Sequence, residues 1–307
     1  MSHDHLGHSH SHGHAPADYG RAFAIGIGLN LVYVAAEAGY GLAAGSLALL
    51  ADAGHNLGDV LGLALSWGAA MLGRRGPSGR FTYGLRSSSI LAALANALIL
   101  LLVTGGIAWE ALLRLAHPVA VAGNTVAWVA TAGIIVNGAT ALLFARGRGS
   151  DLNLRSAFMH MAADAFVTAG VVVAGIAIAL TGLSWLDPAV SLAVSAVIVY
   201  GTWDLVKQAL SLALDAVPKG VDAAAVRAHL LALSGVTAIH DLHIWGMSTT
   251  ETALTCHLVM PQGHPGDAAL SVIARDLEHR FHIHHTTLQI ELGDSAEACA
   301  LIPEHVV

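Results

Sequence analysis

Six long apolar stretches fill the first two thirds of the chain and constrain its fold more than any other feature. A helix that crosses a membrane needs about 20 predominantly apolar residues. The stretches of that length are residues 21–42, 47–72, 86–113, 124–145, 155–182 and 186–212. Polar breaks separate them, and Asp187-Pro188 opens the last one, where proline is tolerated in a first helical turn. The pattern predicts six transmembrane helices.

The composition excludes several functional classes. Of 307 residues, 55% are hydrophobic and only 11% are charged, against about 25% charged residues in a typical soluble domain, so an ordinary soluble enzyme is excluded. A net charge of −7 leaves no basic surface for a nucleic acid backbone. The two cysteines, Cys256 and Cys299, are too few for a disulfide framework. No signal peptide pattern precedes the first apolar stretch.

Arginine placement predicts the orientation in the membrane, because positively charged short connections stay on the cytoplasmic side. Seven arginines flank two connections on one side, and Arg114 alone lies on the other. The seven are Arg74, Arg75, Arg80, Arg86, Arg146, Arg148 and Arg155. We therefore expect an integral membrane protein, of the inner membrane if the source is a bacterium, with both termini in the cytoplasm.

The pattern changes after Pro218 from long apolar runs to short amphipathic elements, which are typical of a soluble module. Residues 221–233 and 267–281 are predicted as helices, and residues 237–247, 252–260 and 286–292 as strands. The predicted fold is thus an α-helical membrane domain followed by a small cytoplasmic α+β (ferredoxin-like) domain. The predicted domains are a His-rich tail (1–20), the membrane domain (21–215), the cytoplasmic domain (216–292) and a C-terminal tail (293–307).

Two of the apolar stretches carry the same pair of ionisable residues. The second contains His55 and Asp59, and the fifth contains His160 and Asp164. An aspartate at the centre of a transmembrane helix costs about 2.5–3.5 kcal/mol, so each one needs a reason. Four residues of helix put both side chains on one face, about 6 Å apart along the axis. Two such halves facing each other supply the nitrogen and oxygen ligands that tetrahedral Zn²⁺ accepts.

Other interpretations of these residues remain. One His-x-x-x-Asp pair alone could be a structural hydrogen bond between helices, but two matched pairs favour a metal site. Asp52, one turn before His55, is interpreted as a group that supports the ligands or as a structural residue. A membrane zinc enzyme is disfavoured because His-Glu-x-x-His is absent and four protein ligands leave no place for an activated water. A zinc sensor that does not transport remains an alternative.

Several segments together resemble the zinc-exporting branch of the cation diffusion facilitator family. They are GSLALLADAGHNLGD at 45–59, RFTYGLRSSSILAALAN at 80–96, HMAADA at 160–165, DP at 187–188 and HDLHIW at 240–245. The resemblance implies a homodimer of six-span protomers that exports Zn²⁺ from the cytoplasm in exchange for protons by alternating access. It places the transport site on His55, Asp59, His160 and Asp164. Zinc is then the substrate, and no cofactor is expected.

The residues themselves are consistent with such an exchange. Imidazole must be neutral to bind a metal, so an acidic exterior should protonate the site and expel the ion. A mixed nitrogen and oxygen ligand set suits Zn²⁺ better than Ca²⁺ or Mg²⁺, which prefer oxygen. Co²⁺, Ni²⁺ and Cd²⁺ are not excluded by the ligand types.

The resemblance also implies a second metal site in the cytoplasmic domain. The matching positions are His240, His257 and Glu291. Leu270 stands where a histidine would complete a cluster of two metals, so at most one ion per protomer is expected, with a structural or regulatory role. A core histidine on a strand is the alternative for His257. No metal site is expected in the connection at 73–86.

Two further groups of histidines lie outside these predicted sites. Six histidines fall within the first 14 residues, and we interpret them as a mobile tether that captures zinc near a cytoplasmic entrance. His282, His284 and His285 are interpreted as a solvated turn before the last strand.

Overall fold

The computed structural model of the chain describes residues 19–145, 152–293 and 299–302, and it describes no side chains for residues 19–27, 143–145, 152–158 and 160. The His-rich tail, with its predicted role in metal capture, lies outside the described residues.

Six long helices make up the described chain as far as Ala213, and each one coincides with a predicted span. They are α1 (Tyr19–Ala44), α2 (Leu47–Gly73), α3 (Ser88–Ala116), α4 (Gly123–Ala145), α5 (Leu152–Thr181) and α6 (Leu186–Ala213). The predicted fold class is confirmed, because the apolar helices are followed by a small α+β domain.

Four of the helical segments are long and apolar enough to cross a membrane, counted over the described residues. These segments are Ser88–Ala116, Gly123–Leu142, Met161–Thr181 and Leu186–Ala213. In α1 the side chains are described only from Gly28 onward. α2 carries four polar residues, Asp52, His55, Asn56 and Asp59, in its first half. His55 and Asp59 among them are half of the predicted metal site.

The chain folds as two compact units. One contains Met1–Leu57 and Trp109–Val194, and the other contains Gly58–Ala108 and Ser195–Val307. In the first unit, α4 packs along α5 and α1 packs on α4. The second unit includes the α+β domain. The boundaries given above for the four predicted domains remain predictions.

Glycines allow α4 and α5 to approach each other closely. A Cβ on Gly175 of α5 would lie 2.6 Å from the backbone nitrogen of Ala127, and a Cβ on Gly123 of α4 would lie 2.5 Å from that of Ala179. Small residues at such contacts let helix backbones pack without intervening side chains, which is a main source of association between helices in membranes.

Gly175→Ala is expected to lower the free energy of unfolding by about 1–3 kcal/mol, since the new methyl group would collide with the α4 backbone. The measurement is the thermal midpoint of the purified protein in detergent. Gly170→Ala on the same helix is the matched control, because its Cβ would meet nothing within 4 Å and alanine is the better helix former. Equal midpoints for the two variants would contradict the close packing.

Asp187 at the start of α6 caps the start of α2. Its carboxylate accepts hydrogen bonds from the hydroxyl of Ser46, from the backbone N–H of Leu47 at 2.7 Å and from that of Ala48 at 3.4 Å. The first N–H groups of a helix have no partner within the helix, so an outside acceptor stabilises them. The Asp-Pro motif therefore ties two helices together within the first unit.

The α+β domain contains α7 (Ala223–Leu231), β1 (Ala238–Gly246), β2 (Thr252–Val259), α8 (Asp267–Phe281) and β3 (Ile283–Glu291). The strand order is β1-β2-β3, with β1 antiparallel and β3 parallel to β2. The Asp222 side chain accepts hydrogen bonds from the first turn of α7. The core consists mainly of aliphatic side chains from both helices and all three strands, and Leu270 of α8 packs against it.

The last strand begins three residues earlier than predicted. His284 and His285 belong to β3, and His282 is the left-handed residue, with φ of 55°, that ends α8. Their interpretation as a solvated turn was therefore wrong in conformation, although all three side chains are exposed. Polar histidines hid the strand because alternation was the only signal available for it.

Candidate metal centres

One face of α2 carries three ionisable side chains at helical spacing, Asp52, His55 and Asp59. Residues three and four apart on a helix are neighbours on its surface. Asp59 therefore lies one helical turn beyond His55, as the sequence predicted. Asp52 is only 1% exposed, so this face of the helix brings a carboxylate into an apolar interior.

The structure brings His55 together with Asp164 of α5. Nε2 of the imidazole lies 3.3 Å from Oδ1 of the carboxylate, and Asp164 is 4% exposed. A carboxylate and an imidazole nitrogen at this distance offer two ligands to one ion from two helices. His160 lies on α5 one turn before Asp164, but its side chain is outside the described residues.

Asp52 contacts α5 through Thr168. The hydroxyl of Thr168 lies 2.9 Å from Oδ2 of Asp52 and 2.9 Å from the backbone carbonyl oxygen of Asp164. Thr168 is completely buried. The contact links Asp52 to the backbone of a predicted ligand, which is consistent with the supporting role expected for Asp52.

Tyr33 and Glu37 add a buried acid that the sequence left without an interpretation. The Tyr33 hydroxyl donates a 2.6 Å hydrogen bond to Oε1 of Glu37, and Glu37 has no exposed surface. Glu37 and Asp52 are near enough to interact electrostatically. Among the described residues, Oε2 of Glu37 and Oδ1 of Asp52 have no hydrogen-bond partner. Buried carboxylates are costly without compensating positive charge, so this region favours binding a cation or a proton.

The cytoplasmic domain brings its three predicted ligands together. His240 of β1 and His257 of β2 are register partners, and Nε2 of the first lies 3.2 Å from Nδ1 of the second. The Glu291 carboxylate at the end of β3 lies 3.2 Å from the His240 nitrogen and 3.0 Å from the His257 nitrogen. The two histidines are 8% and 9% exposed, respectively. Each strand of the sheet thus contributes one ligand to the same point.

A bulge in β1 orients the His257 ring. The pairing register shifts between His240 and His243, and Asp241 there has a left-handed φ of 51°. Its Oδ2 lies 3.3 Å from Nε2 of His257. A carboxylate on the far nitrogen fixes the orientation of a ligand imidazole. Nδ1 of His257 is thereby directed at the other ligands, which favours a metal ligand over a simple core histidine.

Cys299 is a further member of this cluster that the sequence did not reveal. One ligand atom each of His240, His257, Glu291 and Cys299 lies within 4.8 Å of the other three. The cysteine lies eight residues beyond the last strand, where neither periodicity nor a spacing motif marks it. A Cys after the final strand, on a domain with a His-His-Glu triad, is the only signal that could have drawn attention to it.

The surroundings of the Glu291 carboxyl favour its charged form. Burial raises the pKa of the Glu291 carboxyl, but the hydrogen bond from Gln289 and the adjacent His240 outweigh burial and hold it below its usual range. Cys256 differs, because burial in the core raises the pKa of its thiol to about 12. Cys256 is thus a neutral core residue, and it is not among the four clustered residues.

Both parts of the chain match domains of known proteins. Residues 23–213 match the cation efflux transmembrane domain, and residues 218–292 match the cytoplasmic domain of cation efflux proteins.

Individual relatives align over most of their length. The metal cation efflux system protein CzcD of Cupriavidus metallidurans is 34% identical over 87% of this chain and 85% of its own. The zinc transporter ZitB of Pectobacterium atrosepticum is 34% identical, with coverage of 84% and 81%. A cadmium, cobalt and zinc/H(+)-K(+) antiporter of Bacillus velezensis is 32% identical, with 84% of both chains covered. The chain therefore belongs to the cation efflux family, as its resemblance to the cation diffusion facilitators predicted.

Proposed function

We propose that the chain is an integral membrane transporter, and not an enzyme, that exports Zn²⁺ from the cytoplasm in exchange for protons by alternating access. The observation that carries the proposal is the contact between His55 of α2 and Asp164 of α5. Ligands from two apolar helices need to meet within the membrane if an ion is to cross it. Relatives named as zinc transporters and as a cadmium, cobalt and zinc antiporter support the choice of cargo.

The proposed transport site consists of His55, Asp59, His160 and Asp164. Asp59 follows His55 by one turn of α2, and His160 precedes Asp164 by one turn of α5. Two imidazole nitrogens and two carboxylate oxygens complete a tetrahedral shell, and the two negative charges balance the ion. Similar ions such as Co²⁺, Cd²⁺ or Ni²⁺ remain alternative cargoes within the same family.

Exchange with protons follows from the chemistry of the ligands. A histidine must lose its proton before it binds metal, and binding therefore releases protons. On the acidic side the same groups are protonated and the ion leaves. Two buried carboxylates, Glu37 on α1 and Asp52 on α2, lie near the proposed ligands. They offer further groups that can bind and release protons.

The contact of Arg86 with Glu251 supports the proposed orientation. Arg86 precedes α3 and pairs with Glu251 in the turn between β1 and β2, and the Ser87 hydroxyl donates to the backbone oxygen of Met247 at 3.3 Å. The arginine-rich connection after α2 therefore lies on the same side as the cytoplasmic domain. Arginine bias assigns that side to the cytoplasm, and we place both termini there.

The cytoplasmic domain is proposed to bind one Zn²⁺ per protomer at His240, His257 and Glu291, and to pair with a second copy in a homodimer. The match to the cytoplasmic domain of cation efflux proteins supports the pairing, and the distances among the three ligands support the metal site. The domain has 77 residues (216–292), and a domain of this size gains stability from association.

Flux into proteoliposomes tests the exchange. The purified chain is reconstituted with a zinc dye inside, zinc is added outside, and the lumen is either acidic or at the outside pH. We expect the initial rate of zinc entry to rise with an acidic lumen and to fall when a protonophore removes the gradient. Replacing potassium by choline on both sides isolates the contribution of protons. Zinc entry that ignores the gradient would refute proton exchange, and no entry under any condition would favour the sensor alternative.

A further inference from the structure

The cytoplasmic cluster contains a fourth potential ligand, a cysteine thiol, in addition to the three predicted ligands. Sγ of Cys299 lies 3.8 Å from Nδ1 of His257. The sulfur is one of four atoms, with those of His240, His257 and Glu291, that all lie within 4.8 Å of one another. The cysteine is only partly exposed. Its thiol therefore faces three potential metal ligands.

The ligand atoms of the cluster are close enough to one another to surround a single ion. Zinc binds nitrogen and oxygen at about 2.0–2.2 Å and sulfur at about 2.3 Å, so neighbouring ligand atoms lie about 3.3–3.8 Å apart. The separations found are 3.0, 3.2 and 3.2 Å among the histidine and glutamate atoms and 3.8 Å to the sulfur. The separations among the nitrogen and oxygen atoms are slightly shorter than in a zinc shell, so these atoms would move apart slightly as the ion enters.

We propose that the Cys299 thiolate is the fourth protein ligand of a closed Zn²⁺ site in the cytoplasmic domain. The proposal deepens the cytoplasmic site proposed above and rests on it. On binding, the thiol gives its proton to solvent and the sulfur forms a bond to zinc. Two neutral imidazoles, one carboxylate and one thiolate then leave the site without net charge. Four protein ligands make the site structural, since no position remains for a water or a substrate.

This arrangement has a consequence for the C-terminal segment. Metal binding would join a residue after β3 to all three strands, so the ion would fasten residues 299–302 to the sheet. A thiolate also shifts the preference of the site towards Zn²⁺ and Cd²⁺ and away from Mg²⁺ and Mn²⁺. The cytoplasmic site would therefore respond to the same class of ions as the proposed cargo.

Cobalt spectroscopy of the full-length protein in detergent tests the proposal directly. Co²⁺ replaces Zn²⁺ in tetrahedral sites, and cobalt–thiolate bonds absorb strongly in the near ultraviolet by charge transfer. Histidine and carboxylate ligands give no such band, so neither the His-rich tail nor the transport site interferes. We expect the band in the native chain and in Cys256→Ser, and we expect its loss in Cys299→Ser. Zinc affinity of the cytoplasmic site should fall in Cys299→Ser by at least about 10–100-fold, the loss seen for weaker outer-shell changes.

Two results would overturn the proposal. One is a charge-transfer band that persists in Cys299→Ser. The other is a native protein without the band in which His257→Ala still weakens zinc binding, since the site would then exist without its sulfur. The proposed transport function is tested separately, by zinc flux in proteoliposomes, which depends on the membrane ligands. Asp59→Ala should abolish flux and leave the band unchanged.

Discussion

Asp164→Ala is expected to reduce zinc flux into proteoliposomes to the background of empty vesicles. The carboxylate is 4% exposed and contacts the His55 imidazole at 3.3 Å. Its removal takes away one of four proposed ligands and half of the negative charge that would balance the ion. A divalent cation in the bilayer interior is held much more weakly by a shell that balances only half of its charge. The readout is the initial rate of dye response with an acidic lumen.

Asp204→Asn is the matched control for this experiment. Asp204 is also an aspartate on an apolar helix, but its side chain is exposed and pairs with Lys207 and Lys219. We expect nearly native flux from the control, and similar thermal midpoints would show that both variants are folded. Native flux from Asp164→Ala would remove Asp164 from the transport site and leave the paired motif with a structural or sensory role.

The sequence predicted the meeting of His55 with Asp164 for a simple physical reason. Ionisable residues are costly in an apolar helix, and helical periodicity places residues four apart on one face. Two matched pairs on different helices are therefore expected to face each other. Apolar length and helical periodicity are local properties of the sequence. They also predicted all six long helices, because apolar length is a strong signal.

The features that sequence missed depend on contacts between distant segments. Tyr33 and Glu37 share a helix, but the sequence did not reveal that Glu37 approaches Asp52 of the next helix. Cys299 reaches the sheet from beyond the last strand, and no period connects it to His257. The early start of β3 was hidden by exposed polar residues, since alternation of burial is clear only where one face of a strand is apolar.

Asp187→Ala is expected to lower the free energy of unfolding by about 1–3 kcal/mol, the range seen when buried hydrogen-bond donors lose their acceptor. Asp187 has no exposed surface, and it accepts hydrogen bonds from Ser46 and from the backbone N–H groups of Leu47 and Ala48. Without it, the first turn of α2 would keep buried donors that water cannot reach. Titration of the purified protein with sodium dodecyl sulfate in mixed micelles measures the change.

Two further variants separate the contribution of the carboxylate to this loss from that of the Ser46 hydroxyl. Asp187→Asn keeps one acceptor oxygen, so it should lose less stability than alanine does. Ser46→Ala removes one donor and also the 3.2 Å bond that its hydroxyl accepts from the N–H of Leu49, so an intermediate loss is expected. Because α2 carries His55 and Asp187 lies in the first turn of α6, the cap fixes the helix that bears half of the proposed transport site. If alanine and asparagine at position 187 were equally stable, the carboxylate would not act as the cap. The position of α2 would then depend on apolar packing alone.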